Sequence, residues 1–331
     1  MKKYLITGYA GFVGRHFVEY LDKNETDAVI KGLDIQKPDF SRDSYNNIHM
    51  DFEKIDLLDR DRVENIIFSF QPDYILHLAS YSSVAFSWKE PIFSFQNNMN
   101  IYLNLLESIR KLNLPVRILS IGSSEGYGNV NEDLLPLTEA HIQKPVSPYA
   151  VARVSQEMIS KVYVNGYGLD IVMTRSFHHI GPFQKDIFVI PSFARQLVEM
   201  KTNGNTSGEL ITGDTSFVRD FTDVRDVVGA YDLLLKKGKT GEIYNVCSGR
   251  GTSLSNVIGN MTKILDLHIH TRVNEKLLRP SDNRIVIGSN EKIKRDIGWH
   301  NHISLEQSLA DIIDYWRQNG SKCGDNQNGH A

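Results

Sequence analysis

Cysteine is nearly absent: Cys247 and Cys323 are the only two in 331 residues. They stand far apart and in no metal-ligand spacing, so neither a disulfide framework nor a zinc site can be built from them. Sparse cysteine suits a reducing cytosol. Long apolar runs are missing too. No window approaches the ~20 consecutive apolar residues of a spanning helix, so no membrane partner is expected. Met1-Lys2-Lys3 before an apolar stretch resembles the start of a secretory leader. However, Gly8, Gly11 and Gly14 interrupt it and no small-residue cleavage site follows, so it reads as a buried strand and a cytoplasmic location is expected. Positive charge is not in excess either. With a formal net charge of −3 and no basic stripe, nucleic acid is not an expected partner. No internal repeat or low-complexity tract is found.

What is present is alternation. Strands read at Tyr4–Thr7, Ala28–Leu33, Tyr74–Leu78, Val116–Ile121 and Ile171–Thr174. Between them, Val13–Leu21, Arg62–Phe70, Asn98–Leu112 and Pro148–Gly166 carry helical periodicity. This order predicts βαβ units and an α/β fold with a doubly wound parallel sheet, of the Rossmann type. Val224–Leu235 (helix) and Glu242–Val246 (strand) look like a return to the same sheet. Residues 1–174 and 222–250 are therefore expected to form a dinucleotide-binding domain. Residues 175–221 and 251–318 would form a smaller lobe over the carboxyl ends of the strands, where ligands bind in such sheets. Residues 319–331 read as a polar, disordered tail.

The turn Gly8-Tyr9-Ala10-Gly11-Phe12-Val13-Gly14 leaves the first strand and opens the first helix. Glycine permits a sharp turn and a close approach to a pyrophosphate, and free N–H groups at a helix start face its negative charge. About 20 residues on, Asp34 ends the second strand. Its carboxylate suits the adenosine ribose hydroxyls and repels a 2′-phosphate, which favours NAD(H) while leaving NADP(H) open. Asp56 and Leu57 lie where an acid can meet the adenine, in a region crowded by Asp51, Asp59 and Asp61, so a solvated charge run is the equal alternative.

Ser147-Pro148-Tyr149-Ala-Val-Ala-Arg153 opens the long helix, with Pro148 suited to a first turn. Tyr149 and Arg153, four apart, share one helix face. A fixed cation beside a phenol favours the phenolate and makes a proton shuttle. Upstream, the strand ending at Ile121 runs into Gly122-Ser123-Ser124-Glu125, small and polar residues placed to touch a substrate. The histidines add no metal. His178 and His179 are adjacent and diverge, and neither His268/His270 nor His300/His302 has an acid cluster beside it.

These residues together resemble the extended short-chain dehydrogenase/reductases: the glycine turn, His77-Leu78-Ala79, Asn98, Ser123, and Tyr149 with a basic residue four later. The likeness runs from Lys3 to about Arg317. It implies that Ser123 and Tyr149 contact the sugar oxygen being oxidised or reduced, that Arg153 binds the nicotinamide ribose, and that Asn98 supports the site. It also places Leu78 and Ala79 at the cofactor. Further strings, among them Ser82-Ser83-Val84, Arg175-Ser-Phe-His178-His-Ile-Gly-Pro, Arg219-Asp-Phe-Thr-Asp223 and Leu278-Arg279-Pro280, are most similar to the GDP-4-dehydro-6-deoxy-D-mannose reductases. By that resemblance Ser83, Ser124, Glu125 and His178 face the substrate, while Arg219 and Arg279 clamp the nucleotide diphosphate, a role that suits guanidinium forks. Two positions depart from the pattern. Arg153 stands where the family has lysine, which bears on rate, and His178 stands where it has asparagine, which bears on the sugar.

The reading that follows is reduction of a 4-keto sugar on a GDP-linked substrate. A 4,6-dehydratase using Glu125 as base is the alternative, with a 4-epimerase third and an NADH-sensing regulator as the non-enzymatic possibility. Apolar residues on more than one face of two helices (Ile101, Leu105, Ile109; Val151, Val154, Met158, Val162) predict a homodimer seam.

Overall fold

The computed structural model describes residues 1–25, 27–41, 45–278 and 283–320. Its first half is built from β1 (Lys2–Thr7), α1 (Phe12–Asn24), β2 (Ala28–Asp34), β3 (Ile48–Lys54), α2 (Arg60–Phe70), β4 (Tyr74–His77), α3 (Val84–Lys89), α4 (Pro91–Leu112), β5 (Arg117–Ser123), α5 (Pro148–Tyr167) and β6 (Asp170–Ser176). Then come β7 (His178–Ile180), α6 (Val189–Thr202), β8 (Ser207–Thr212), β9 (Val218–Asp223), α7 (Val224–Lys237) and β10 (Ile243–Val246). The chain closes through β11 (Gly251–Ser253), α8 (Leu254–Leu265), β12 (His268–Val273), β13 (Ile285–Val286), α9 (Glu291–Ile297) and α10 (Leu305–Asn319).

Seven strands pair in the order β10-β6-β5-β4-β1-β2-β3, every pairing parallel. Central strands such as Tyr4-Leu5-Ile6-Thr7 are buried on both faces, because helices cover each side. Leu5, Ile75 and Ile118 pack with α2, α4 and α5 on one side. Tyr4, Ile6 and Leu119 pack with α1 and α7 on the other. The order reverses between β1 and β4, and at that switch the carboxyl ends of the two strands open a crevice. The fold is thus the Rossmann-type α/β arrangement. Outside this sheet, β9 pairs with β7, β11 and β13, and β8 pairs with β12. A separate apolar cluster joins α6, α8 and α10.

Three differences from the sequence-based expectation stand out. The segment 48–54 is a strand, β3, at the sheet edge, where its alternating charged residues meet water. Helix α4 begins at Pro91 rather than Asn98, with the short α3 before it. Finally, Ile101, Leu105 and Ile109 do not form an unpartnered stripe: they are buried inside the chain with α2 and the sheet, and Val154 is buried as well. Of the apolar residues expected to form the seam on α5, Val151, Met158 and Val162 remain exposed, at 41%, 59% and 54%. Of the expected tail, 319–331, Asn319 instead closes α10, and residues 321–331 lie outside the described residues. No helix among the described residues is long and apolar enough to cross a membrane.

Candidate active site

The glycine turn is shaped by what glycine alone permits. Gly8 sits at φ +69°, and a Cβ there would lie 2.7 Å from the backbone nitrogen of Ala79. At Gly14 a Cβ would meet the Tyr9 carbonyl oxygen at 2.4 Å. The turn therefore presses β1 against the end of β4 and lets α1 start close by. Gly11 caps α1 with no side-chain hydrogen bond to its first turn, so the 13-residue helix starts without a side-chain partner for its first N–H groups. A pyrophosphate fits this place by charge and by space. Phe12 stacks on His179 with ring centroids 6.1 Å apart, and Val13 packs on the core; neither side chain is turned to solvent alone.

Asp34 ends β2 with its carboxylate between two backbone donors. Ala10 N–H and Gln36 N–H each reach it at 2.9 Å. The acid thus holds the glycine turn. Asp56 is exposed and its carboxylate accepts from Leu58 N at 2.9 Å, while Leu57 is buried. Leu78 donates its N–H to the Thr7 carbonyl and Ala79 donates to Thr7 Oγ1. Thr7 Oγ1 also bonds His77 Nδ1 at 2.9 Å. Burial first, and the nearby Arg153 charge second, push His77 down to about 3. It is neutral and adds no second cation.

Helix α5 is started by Ser147, whose hydroxyl accepts from Ala150 N at 3.1 Å, and by Pro148 in its first turn; Gly168 ends it at φ 72°. That fixed start sets Tyr149 and Arg153 against the carboxyl end of β5. Arg153 Nε donates to the Tyr149 hydroxyl at 3.2 Å. Its Nη1 donates to the Ile121 carbonyl (3.1 Å) and to Gln156 Oε1 (2.8 Å), and its Nη2 bonds Ser80 Oγ. Arg153 is only 6% exposed. Ser123 is the last residue of β5, and its hydroxyl accepts from Glu125 N at 3.2 Å at the head of a short turn, 124–127. Ser124 is buried; Glu125 is half-buried.

Ser83 caps α3, accepting from Phe86 N at 3.1 Å. Asn98 is buried and grips the Tyr81 backbone from both sides, accepting its N–H at 2.8 Å and donating to its carbonyl at 3.2 Å. His178 opens β7 with its ring edge-on to Phe221 at 6.0 Å. Arg219, on β9, is buried and donates to the Val218 and Arg284 carbonyls. Arg279 lies outside the described residues. Ser80 and Gln156 escape sequence reasoning. Gln156 follows Arg153 by one helical step and looks like any buried polar residue until β5 is laid beside it. No metal-binding group of three His, Cys, Asp or Glu occurs among the described residues.

Comparison with known proteins agrees with this fold. The profile of the family described as GDP-mannose 4,6 dehydratase matches residues 5–312. A GDP-6-deoxy-D-mannose reductase of Pseudomonas aeruginosa is 32% identical, over 95% of this chain and 97% of its own. The solved structure of RMD from Pseudomonas aeruginosa complexed with NADPH superposes with a TM-score of 0.83 at 32% identity, covering 96% of this chain and 100% of that one. UDP-glucose 4-epimerase from Thermotoga maritima, solved with UDP-glucose, gives 0.84 at 29% identity, over 96% and 99%. Glycine turn, strand order and matched length together identify the chain as a member of the GDP-mannose 4,6-dehydratase family of extended short-chain dehydrogenase/reductases.

Proposed function

We propose that the protein is a nicotinamide-dependent nucleotide-sugar oxidoreductase that reduces the C4 ketone of a GDP-4-dehydro-6-deoxy sugar, with Tyr149 as proton donor. The observation that carries this reading is the Arg153–Tyr149 contact at the end of β5, next to Ser123. The Tyr149 oxygen already accepts from Arg153 Nε, and the Ser123 oxygen from Glu125 N. Each hydroxyl proton is thereby left to donate onward to one substrate oxygen. The reduced cofactor, when bound, would supply the hydride for the carbonyl carbon. Tyr149 then gives its proton to the forming alkoxide, Ser123 hydrogen-bonds that oxygen, and the buried Arg153 charge stabilises the phenolate left behind.

The glycine turn and the open start of α1 hold the cofactor diphosphate, with Leu78 and Ala79 across the crevice and Asp56 and Leu57 toward the adenine. Asp34 favours NADH, because a 2′-phosphate would approach its carboxylate. Residues 175–221 and 251–318 are assigned as the substrate lobe, with His178 given to the sugar and Arg219 and Arg279 to the diphosphate. GDP is the nucleotide that the similarity to the Pseudomonas reductase favours. The exposed Val151, Met158 and Val162 on α5 support a homodimer through that helix.

One observation favours a second reading. Glu125 is tied through its own N–H to Ser123, at the place where a 4,6-dehydratase needs its base, and the matched family profile carries that name. Parallel incubations separate the two. With NADH and GDP-4-dehydro-6-deoxymannose, a reductase oxidises one NADH per keto-sugar. A dehydratase instead makes keto-sugar from GDP-mannose with no net cofactor consumption.

A further inference from the structure

Arg153 is a buried cation without a carboxylate among its hydrogen-bond acceptors in the described residues: Tyr149 hydroxyl, Ile121 carbonyl, Gln156 amide and Ser80 hydroxyl. A buried charge is tolerated only when its donors are satisfied. A guanidinium presents five N–H groups in a rigid plane, so its acceptors must stand in fixed places, whereas an ammonium turns freely on a flexible stem. Four of those five are directed here. Gln156 is itself held: 2% exposed, it donates from Nε2 to Ser120 Oγ at 2.8 Å and to the Ile121 carbonyl at 3.2 Å. Since a guanidinium only donates, the amide must turn Oε1 toward Arg153. Ile121 O, shared by both side chains, lies two residues before Ser123 on the same strand, so one backbone segment sets both the cation and the substrate-facing hydroxyl.

We propose that Gln156 and Ser80 are positioning residues that aim the Arg153 guanidinium at Tyr149 and at the cofactor's nicotinamide side, and so allow arginine to replace lysine there. The proposal rests on the oxidoreductase reading for its chemistry. The plainer role for Gln156, an amide that only ties α5 to β5, requires no coupling to Arg153.

A double-mutant cycle decides between them. Gln156→Met keeps the volume and removes the acceptor together with the Nε2 donors; Gln156→Glu removes the donors and keeps the acceptor. Arg153→Lys and the double variant Arg153→Lys/Gln156→Met complete the set. NADH affinity is read by fluorescence titration, and kcat and KM by turnover of the keto-sugar. Loss of one hydrogen bond to a charged group corresponds to about tenfold. Gln156→Met should therefore weaken NADH binding and kcat each about tenfold, with sugar KM within about twofold, and Gln156→Glu should recover most of both. In the Arg153→Lys background, Gln156→Met should add less than about twofold. Effects that multiply, or a Gln156→Met protein that binds NADH and turns over as the parent does, would overturn the proposal. Should Gln156→Met not fold, Ser80→Ala takes its place in the same cycle, with the same two outcomes. Failure of the parent to reduce the keto-sugar counts against the functional reading alone, because the cycle on NADH affinity needs no turnover.

Discussion

Replacing Tyr149 by phenylalanine removes one oxygen and little else. The ring is buried and lies 5.3 Å from the Arg153 guanidinium, so Phe keeps that packing. Two things are lost. The first is the acid that protonates the alkoxide, and removal of a positioned general acid costs at least about 100-fold in kcat, or roughly 2.7 kcal/mol of barrier. The second is the acceptor for Arg153 Nε at 3.2 Å. A buried donor on a cation left unmatched destabilises the fold by about 1–3 kcal/mol, less if water enters the gap. The assay is NADH oxidation with saturating keto-sugar, beside a thermal melt and an NADH titration of the same protein. The expected result is a folded, NADH-binding protein with kcat down at least about 100-fold and sugar KM changed less than about threefold. Turnover within a few-fold of the parent would refute the role given to Tyr149.

Asp34→Ala should raise kcat/KM with NADPH relative to NADH; a parent protein that already prefers NADPH would show that Asp34 is not the selector. Glu125→Gln should leave reduction of the keto-sugar within about threefold, whereas loss of a GDP-mannose dehydration activity in that variant would install the second reading. His77 is held at about 3 when folded, against an ordinary value near 6.5, so the unfolded chain takes up its proton first as the solution is acidified. Its contribution is complete above pH ~6.5 and falls by roughly 1.4 kcal/mol per unit below that, or about 2 kcal/mol by pH 5. Between pH 7 and pH 5 the unfolding free energy from urea titration should fall by about 2 kcal/mol more in the parent than in His77→Gln, and equal losses would refute it. In sedimentation equilibrium the parent should run as a dimer and Met158→Glu as a monomer near 37.6 kDa; a monomeric parent would remove the α5 seam.

The sheet was legible because its strands are short apolar runs and its helices carry one apolar face, patterns set by burial between two helix layers. Strand β3 escaped because an edge strand with His49, Asp51, Glu53 and Lys54 looks like a loop rich in charge. The start of α4 escaped because Pro91 reads as a break, although proline is accepted in a helix's first turn. In the site, the glycine turn and the Tyr149–Arg153 spacing are local features, and local features survive in sequence. The clamp on Arg153 is not local. It joins Ser80 after β4, Ile121 on β5 and Gln156 on α5, and nothing in the chain order brings these three together. The expected stripe on α4 failed for a related reason: periodicity shows that a face is apolar and not what covers it, and here α2 and the sheet cover Ile101, Leu105 and Ile109.

The central claim is tested most directly by following the reducing hydrogen. NADH deuterated at both C4 hydrogens is incubated with the protein and GDP-4-dehydro-6-deoxymannose, and the product sugar is examined by proton and deuterium NMR. The expected product is a 6-deoxy sugar carrying one deuterium on its own C4, formed in step with NADH loss. Recovery of unreduced keto-sugar, or a product with no deuterium at C4, would contradict it.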